Sequence, residues 1–489
     1  MLLTDTEPLT SGEEWVPHEY QKKVMKLFLQ QAAGGALLDP GLGKTSISLA
    51  VVSTLQRMKI TKRWLVITPL RPAYLVWPRE IQKWSNFGHL KYHILHGSGR
   101  NPWQIPEGTD IVIVNPEGLL WLMSEDFTDR FEALGVDALL VDESTRFADS
   151  TTKRFKLLKS RLHKLKRRYI LTGSVVPNGL LGLFGQMYVL DRGNALGPNI
   201  TAFKKEYFYT DPYEPHKWIP HKHAFDEIVE KVSPLTLQMQ AEDYLEMPEL
   251  IHHTIEVTLP HDVQVLYDEV ENDFLTLLAD GTPIVAANAA VAGGKCRQIA
   301  NGAIYYNVPH PSGEINAETG EPKLLRKTRV LHHEKLDALV ELLEELQGNP
   351  VLIGYEFQHD RDAILKKYPD MPVISGMSMK NVTTLMDGFN RGEVPQILGH
   401  PASMGHGLNL QGKCHHVIWY GITWNFEHYD QMIRRVYRQG QENEHVFVYH
   451  IVAQGTKDAD VAPVLEQKEK TQRDLLNALV PPQLKDIIV

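Results

Sequence analysis

The stretch Asp39-Pro40-Gly41-Leu42-Gly43-Lys44-Thr45-Ser46 constrains this chain more than any other. It follows the short apolar run Ala36-Leu37-Leu38 and leads into Thr45 to Leu55, where apolar residues recur at helical spacing. A strand, a glycine-bearing loop and a helix in that order commit the chain to a parallel α/β core, whose ligands meet the carboxyl ends of the strands. Glycines let the backbone wrap a phosphate, and Lys and Thr at a helix start supply the charge and hydroxyl that a nucleotide and its magnesium require. Gly41, Leu42, Gly43, Lys44, Thr45 and Ser46 are therefore the candidate nucleotide-binding residues. Leu38 stands where the full form of the pattern has its first glycine.

The next apolar runs repeat the theme. Trp64 to Thr68 ends in Pro69, Ile111 to Val114 ends in Asn115-Pro116, and Ala138 to Val141 ends in Asp142-Glu143. Adjacent carboxylates at a strand end place one acid near magnesium and the next beside an attacking water, so Asp142 and Glu143 are the catalytic candidates, with Thr45 and Asp142 as the metal ligands. A fifth run, Tyr169 to Leu171, ends in Thr172-Gly173-Ser174, small hydroxyl residues placed to relay the nucleotide state.

A second series of alternating elements begins at Lys335 and has no phosphate loop. Strands are expected at Val351–Ile353, Val373–Ile374, Gln396–Leu398, Val417–Tyr420 and Val446–Tyr449, and helices at Asp360–Lys367, Thr383–Asn390 and Glu427–Tyr437. On the last helix Arg435 and Arg438, three apart, would project from one face and reach one phosphate group together. A guanidinium so placed stabilises charge developing during phosphoryl transfer. The expected organisation is a first core over 1–235, a mainly helical insertion over 236–330 containing the exposed loop Pro309 to Pro322, and a second core over 331–489.

Charge and composition narrow the partners. A formal net charge of -9 over 489 residues argues against a protein that coats nucleic acid and leaves room for a local basic groove. That groove would draw on Lys153, Arg154, Lys156, Lys159, Arg161, Lys164, Lys166, Arg167 and Arg168, a run without an acid, whose alternative is a solvated helix face. Cys296 and Cys414 are the only cysteines, too few for a disulfide framework or a cysteine-rich zinc site. Adjacent histidines such as His252-His253 point to opposite faces of a strand and do not share a metal easily. The start of the chain lacks the basic and apolar pattern of a secretory signal, and no apolar run reaches membrane-spanning length, so a soluble cytoplasmic protein is expected.

In order, these motifs resemble helicase superfamily two and, within it, the Snf-type (sucrose-non-fermenting) translocases that act on double-stranded DNA. Tyr20-Gln21 is similar to the glutamine motif that reads adenine, Gly41 to Thr45 to motif I, and Pro69-Leu70 with Trp77, Glu80 and Trp84 to motif Ia and its trailing helix. Asp142-Glu143 with Lys153-Arg154 resembles motif II and its sequel, and Leu171 to Ser174 with Pro177-Asn178 resembles motif III. Arg297-Gln298 and Lys335-Leu336 are similar to landmarks before the second core, Gly405 to Leu410 to motif V, Trp424-Asn425 to the segment after it, and Gln431 to Gln441 to motif VI. Thr145 stands where the family usually has His, and Met404 replaces a Gly before motif V. His400 to Ser403 and Gln439 look most like the compact versions carried by bacteriophages and prophages.

The resemblance implies two RecA-like parallel-sheet domains in tandem that hydrolyse ATP with Mg2+ in the cleft between them and move along duplex DNA without reading its sequence. It assigns Gln21 to ATP; Lys44, Gln431, Arg435 and Arg438 to catalysis beside Asp142 and Glu143; and Pro69, Lys153, Arg154, Ser403 and Trp424 to DNA. A monomer with a separate loading protein is expected. The rival readings are a strand-separating helicase and a nucleotide-dependent clamp with little turnover.

Overall fold

The first unit's strands are β1 (Ala33–Leu38), β2 (Trp64–Ile67), β3 (Tyr92–Ile94), β4 (Ile111–Val114), β5 (Ala138–Asp142), β6 (Arg167–Thr172) and β7 (Thr236–Met239). All pair in parallel, in the spatial order β3-β4-β2-β5-β6-β1-β7. Apolar runs form such strands because both faces of a parallel sheet are covered. Leu65, Ile67, Val112, Val114, Leu139 and Val141 enter one core, whereas Trp64, Val66, Ile111, Ile113, Ala138 and Leu140 enter another on the opposite face. Each large aliphatic side chain buried this way contributes about 1.5–3 kcal/mol. The structure is a computed structural model that describes residues 12–97, 101–124, 129–173, 179–211, 218–273, 275–277, 283–285, 289–312, 314–315, 323–404, 407–461, 463–465, 467–468 and 470.

The second unit spans Met247–Lys468. Its strands are β8 (Glu249–Val257), β9 (Val351–Gly354), β10 (Gln396–Gly399), β11 (His416–Trp419) and β12 (His445–Ala453), all parallel in the order β8-β12-β11-β9-β10. The strand expected at Val373–Ile374 is a single bridge, Val373 to Leu398. Pro372 before it has no N–H with which to lengthen the pairing.

The segment 236–330 departs from the expected insertion. Thr236–Met239 is β7, the edge of the first sheet beside β1, and the division between the units falls after Glu246. Glu249–Val257 is β8 of the second sheet. Helices His261–Asp273 and Ala289–Ala300 then bring Tyr267, Cys296 and Ile299 into one core with Leu339, Ile353 and Ile418. An antiparallel ribbon of Ala303–Pro309 with Leu324–Val330 follows, flanking the expected loop, of which 313 and 316–322 lie outside the described residues. No helix among the described residues is long and apolar enough to cross a membrane.

Candidate active site

β1 lies between β6 and β7, and the phosphate loop leaves its carboxyl end. The loop is tied to β7 at its start: Asp39 N–H donates to the Met239 carbonyl at 3.2 Å, and Asp39 Oδ2 accepts from Ala241 N–H at 3.1 Å. Gly41 and Gly43 then adopt left-handed φ of 98° and 76°, where a side chain would be strained. The helix Lys44–Arg57 opens on Gly43, and Ile47 N–H is bonded back to the Gly43 carbonyl at 3.0 Å. Amides of the first turn have no intrahelical acceptor, so those of Lys44, Thr45 and Ser46 are available to an anion.

Two neighbours hold this loop. Gln21 donates Nε2–H to the Leu42 carbonyl at 3.2 Å and accepts His18 N–H on Oε1 at 2.9 Å. A Cβ at Gly43 would lie 2.5 Å from Gln21 Nε2, so only glycine lets the amide rest there. Gln21 thus supports the loop directly, with the rings of His18 and Tyr244 each packed on Tyr20 beside it. The Ser46 hydroxyl donates to Glu80 Oε2 at 2.6 Å, an oxygen that also accepts from Trp84 Nε1 at 2.9 Å. The Ser46 side chain is therefore committed to the trailing helix, leaving its backbone amide to face an anion. Lys44 Nζ donates to the carbonyls of Leu38 at 2.7 Å and Asp39 at 3.3 Å.

β5 and β6 bring the carboxylates and hydroxyls to the same end of the sheet. Asp142 Oδ2 accepts from Thr68 Oγ1 at 3.0 Å and from the buried Trp77 indole at 3.2 Å. Burial and, after it, the neighbouring charge of Glu143 raise the Asp142 pKa, while the Trp77 and Thr68 bonds and the Lys44 charge act in the other direction. Glu143 has φ 65°, a left-handed conformation that costs a residue with a side chain on the order of 1–2 kcal/mol. Its Oε1 accepts from Thr145 Oγ1 at 2.9 Å and from Thr172 Oγ1 at 3.2 Å. Behind it, Ser144 Oγ donates to Gln186 Oε1 at 2.6 Å in the interior. Gly173 brings β6 against the loop: a Cβ there would be 3.1 Å from Pro40 Cδ and 3.3 Å from the Leu38 carbonyl.

The donor set suits magnesium, a hard cation that takes oxygen ligands. The Thr45 hydroxyl and Asp142 carboxylate would hold it, and the burial that raises the Asp142 pKa is a penalty on its charged form that a cation would offset. Sequence reasoning missed the roles of Thr68, Trp77 and Thr145. Thr68 directly follows β2, whose end converges on the same site, and that position was the available signal.

The basic run is largely structural. Arg167 NH1 donates to the Gln31 carbonyl at 2.5 Å and Arg168 Nε to the Leu190 carbonyl at 2.6 Å. Lys166 pairs with Asp137, Lys164 with Glu132, Arg154 lies 3.7 Å from Glu117, and Lys159 sits over the Tyr188 ring. Lys153 and Lys156, on the exposed side of the helix Lys153–Arg161, are without a carboxylate partner among the described residues. Pro69, expected at DNA, is buried and caps the short helix Leu70–Leu75, so its ring has little surface to offer a ligand.

In the second unit the expected helix over Glu427–Tyr437 ends early, at Ile433, and Arg435 and Arg438 lie in the turn beyond it. Arg435 itself is the reason. Its Nε donates to the Gln431 carbonyl at 2.9 Å, the acceptor its own amide would use in a continuing helix, and that amide turns to Met432 at 3.1 Å instead. Its NH1 reaches the Leu408 carbonyl at 3.2 Å, joining motifs V and VI. Arg438 Nε is buried without a hydrogen-bond partner among the described residues, and burial lowers its pKa. Gln431 is buried and donates to Glu427 Oε1 at 3.2 Å. Ser403 sits part-buried on the short helix Pro401–Met404, and Trp424 is part-buried with its carbonyl accepting from Lys468 at 2.9 Å. Ser174, Pro177, Asn178, Gly405 and His406 lie outside the described residues.

Residues 15–270 match the family model of the SNF2-related domain, and residues 334–440 match the helicase conserved C-terminal domain. The chain belongs to the SNF2-related family. A relative, "Putative protein p41" of Acyrthosiphon pisum secondary endosymbiont phage 1, is 32% identical over 480 residues, covering 95% of this chain and 99% of the relative. The "Uncharacterized ATP-dependent helicase YqhH" of Bacillus subtilis (strain 168) is 21% identical and covers 93% of this chain and 78% of its own. Human "DNA repair and recombination protein RAD54B" is 22% identical over 94% of this chain and 53% of its own. This SNF2-related chain is thus an ATP-dependent enzyme with helicase-type domains, and its phage relative agrees with the compact form expected from motifs V and VI.

Proposed function

We propose that this SNF2-related protein is a DNA-stimulated ATPase that translocates on duplex DNA without sequence preference. The observation that carries the reading is Glu143, fixed through one carboxylate oxygen by Thr145 and Thr172 at the strand end next to the phosphate loop. A carboxylate anchored in this way orients an attacking water, and a clamp that does not turn over has no use for it. Lys44 and the first-turn amides of the loop helix bind the phosphates, and Gln21 couples the loop to the adenine side. Bound magnesium would neutralise charge on the phosphate oxygens, with Thr45 and Asp142 as its protein ligands. Thr68 and Trp77 keep the Asp142 carboxylate in place, and Arg435 and Arg438 are the proposed source of positive charge from the second unit.

Lys153, with Lys156 beside it, supports DNA contact, since an exposed cation without a carboxylate partner is available to phosphates. Arg154, Ser403 and Trp424 are the remaining proposed contacts. Contacts to phosphate rather than to base edges leave the motor free to step along any sequence. The test is ATP-driven displacement of a third strand from a triplex. A translocase displaces it and leaves the duplex intact; no displacement despite rapid ATP turnover would remove translocation from the account. The name of the Bacillus relative makes strand separation the second reading, and unwinding of a forked duplex by this chain would favour it.

A further inference from the structure

The ribbon Ala303–Pro309 with Leu324–Val330 plays no part in the ATPase chemistry, yet it carries the most exposed cationic strand of the second unit. Residues 323–328 and Val330 are all exposed, and the strand includes Arg326, Lys327 and Arg329, with Lys323 just before it. Lys323 pairs with Glu314 at 3.0 Å. Arg326 lies over the Tyr305 ring, 3.5 Å from its centroid, and neither Arg326 nor Lys327 has a carboxylate partner among the described residues. A cation stacked on an aromatic ring is held in position and still presents its N–H groups outward.

Register decides what these two cations can reach. Arg326 is opposite Asn307 and Lys327 opposite Tyr306, so consecutive positions put one cation on each face of a two-stranded ribbon. A major groove about 12 Å wide admits such a ribbon, and both of its walls are phosphate backbones. Inserted edge-on, the ribbon would turn one face, and so one cation, to each wall, a pair of walls that a single strand does not provide. The root of the ribbon is also fixed. Lys335 Nζ donates to Asn301 Oδ1 at 2.8 Å and is paired with the buried Asp458; Tyr420 OH donates to the Asn301 carbonyl at 3.2 Å. Arg297, on the helix leading into the ribbon, donates to the Ile422 carbonyl at 3.1 Å and pairs with Glu356 at 2.9 Å. These bonds fasten the ribbon to the segment Tyr420–Ile422, which runs directly into Trp424, a proposed DNA contact.

We propose that this ribbon enters a groove of duplex DNA, with Arg326 and Lys327 on the phosphates of opposite strands. The inference rests on the DNA-stimulated reading above and adds a contact surface to it. It predicts a specific change in salt dependence. Each phosphate contact contributes about 0.9 to the slope of log affinity against log salt, so the full chain with Arg326→Gln and Lys327→Gln should bind a mixed-sequence duplex with a slope shallower by about 1.8 and roughly sixtyfold more weakly at about 0.1 M salt. ATP hydrolysis without DNA should not change. Fluorescence anisotropy of a labelled duplex over a KCl series reads the slope, with Leu324→Ser as a second variant that alters the exposed apolar surface of the same strand and leaves the charges in place.

A wild-type slope in the double glutamine variant overturns the inference while leaving the ATPase reading intact. Weakening by Leu324→Ser with little effect of the charge variant also overturns it, because apolar surface and not the two cations would then carry the duplex contact. Failure of the unaltered chain to bind duplex at any salt concentration removes the DNA reading itself and the inference with it.

Discussion

The two parallel sheets use similar frameworks for different chemical ends. In the first, the ends of β1, β2, β5 and β6 converge on Lys44, Thr68, Asp142 and Thr172, and a raised Asp142 pKa shows that ionisable groups are held where they are not most comfortable. In the second, Lys335 is bonded to Asp458 and Asn301, and Asn301 to Asp360 at 3.0 Å, while nitrogens of Trp419 and Arg438 are buried without a hydrogen-bond partner among the described residues. Its candidate catalytic arginines lie outside regular structure, beyond the end of a helix. The same architecture therefore carries its acidic candidates at strand ends in one unit and its basic candidates beyond a helix end in the other.

This contrast can be broken most sharply at the arginines. Arg438→Ala should lower ATP turnover by ~10³-fold or more with little change in melting temperature, because in the proposed role its charge acts on transferred phosphate and its buried Nε bonds nothing among the described residues. Arg435→Ala should lower the melting temperature as well, since the Leu408 and Gln431 carbonyls lose a donor, at a cost of about 1–3 kcal/mol. Stopped-assay hydrolysis combined with thermal unfolding separates the two; equal stability losses would contradict the assignment. Next in size is Glu143→Gln, expected to reduce turnover by ~10²- to 10⁴-fold while a fluorescent ATP analogue still binds. Loss of nucleotide binding would show that Glu143 supports the loop instead.

A smaller effect is expected from Thr145→Val with Thr172→Val, which removes both donors to Glu143 Oε1 at nearly constant volume. Turnover should fall about tenfold with KM for ATP unchanged, as positioning errors of this kind act on the reaction and not on binding. A rise in KM with normal turnover would overturn the positioning role. The least pronounced difference should appear in mild acid. Burial and neighbouring imidazoles depress His416 to about 4 and His450 to about 3, both from an ordinary 6.5. Between those values and 6.5 the unfolded chain binds protons that the folded unit does not, so stability of the second unit falls as pH drops below 6.5, by about 1.4 kcal/mol per histidine for each pH unit. Asp142 acts with the opposite sign, because its raised pKa makes the folded first unit bind the proton more readily. Hydrogen exchange at decreasing pH should show β11 and β12 losing protection before β5; simultaneous loss would contradict this ordering.

Much of this was legible in the sequence because apolar runs of four or five residues, each followed by a chemically loaded turn, have few alternative structures. β2, β4, β5 and β6 lie where their composition places them. β3, β7 and β8 were missed: Tyr92–Ile94 is short and half-buried, Thr236–Met239 has polar residues in it, and Glu249–Val257 is an exposed edge with His252 and His253 on its surface. The phosphate loop and the Asp142-Glu143 pair could be located from spacing alone. The hydroxyl clamp on Glu143 could not, because Thr145 and Thr172 are brought together by tertiary pairing of β5 with β6. Motif VI misled in the other direction: its spacing suits a helix, but the Arg435 side chain takes the carbonyl that the next turn would need. The basic run shows the same limit, since Arg167 and Arg168 carry charges that are used on backbone carbonyls.

Steady-state ATP hydrolysis measured without nucleic acid, with duplex DNA and with single-stranded DNA, with Lys44→Ala as the blank, tests the central claim most directly. The account predicts strong stimulation by duplex, weaker stimulation by single strands, and no activity above background in the Lys44 variant. Turnover in the unaltered chain that stays at the level of the blank under all three conditions would contradict it.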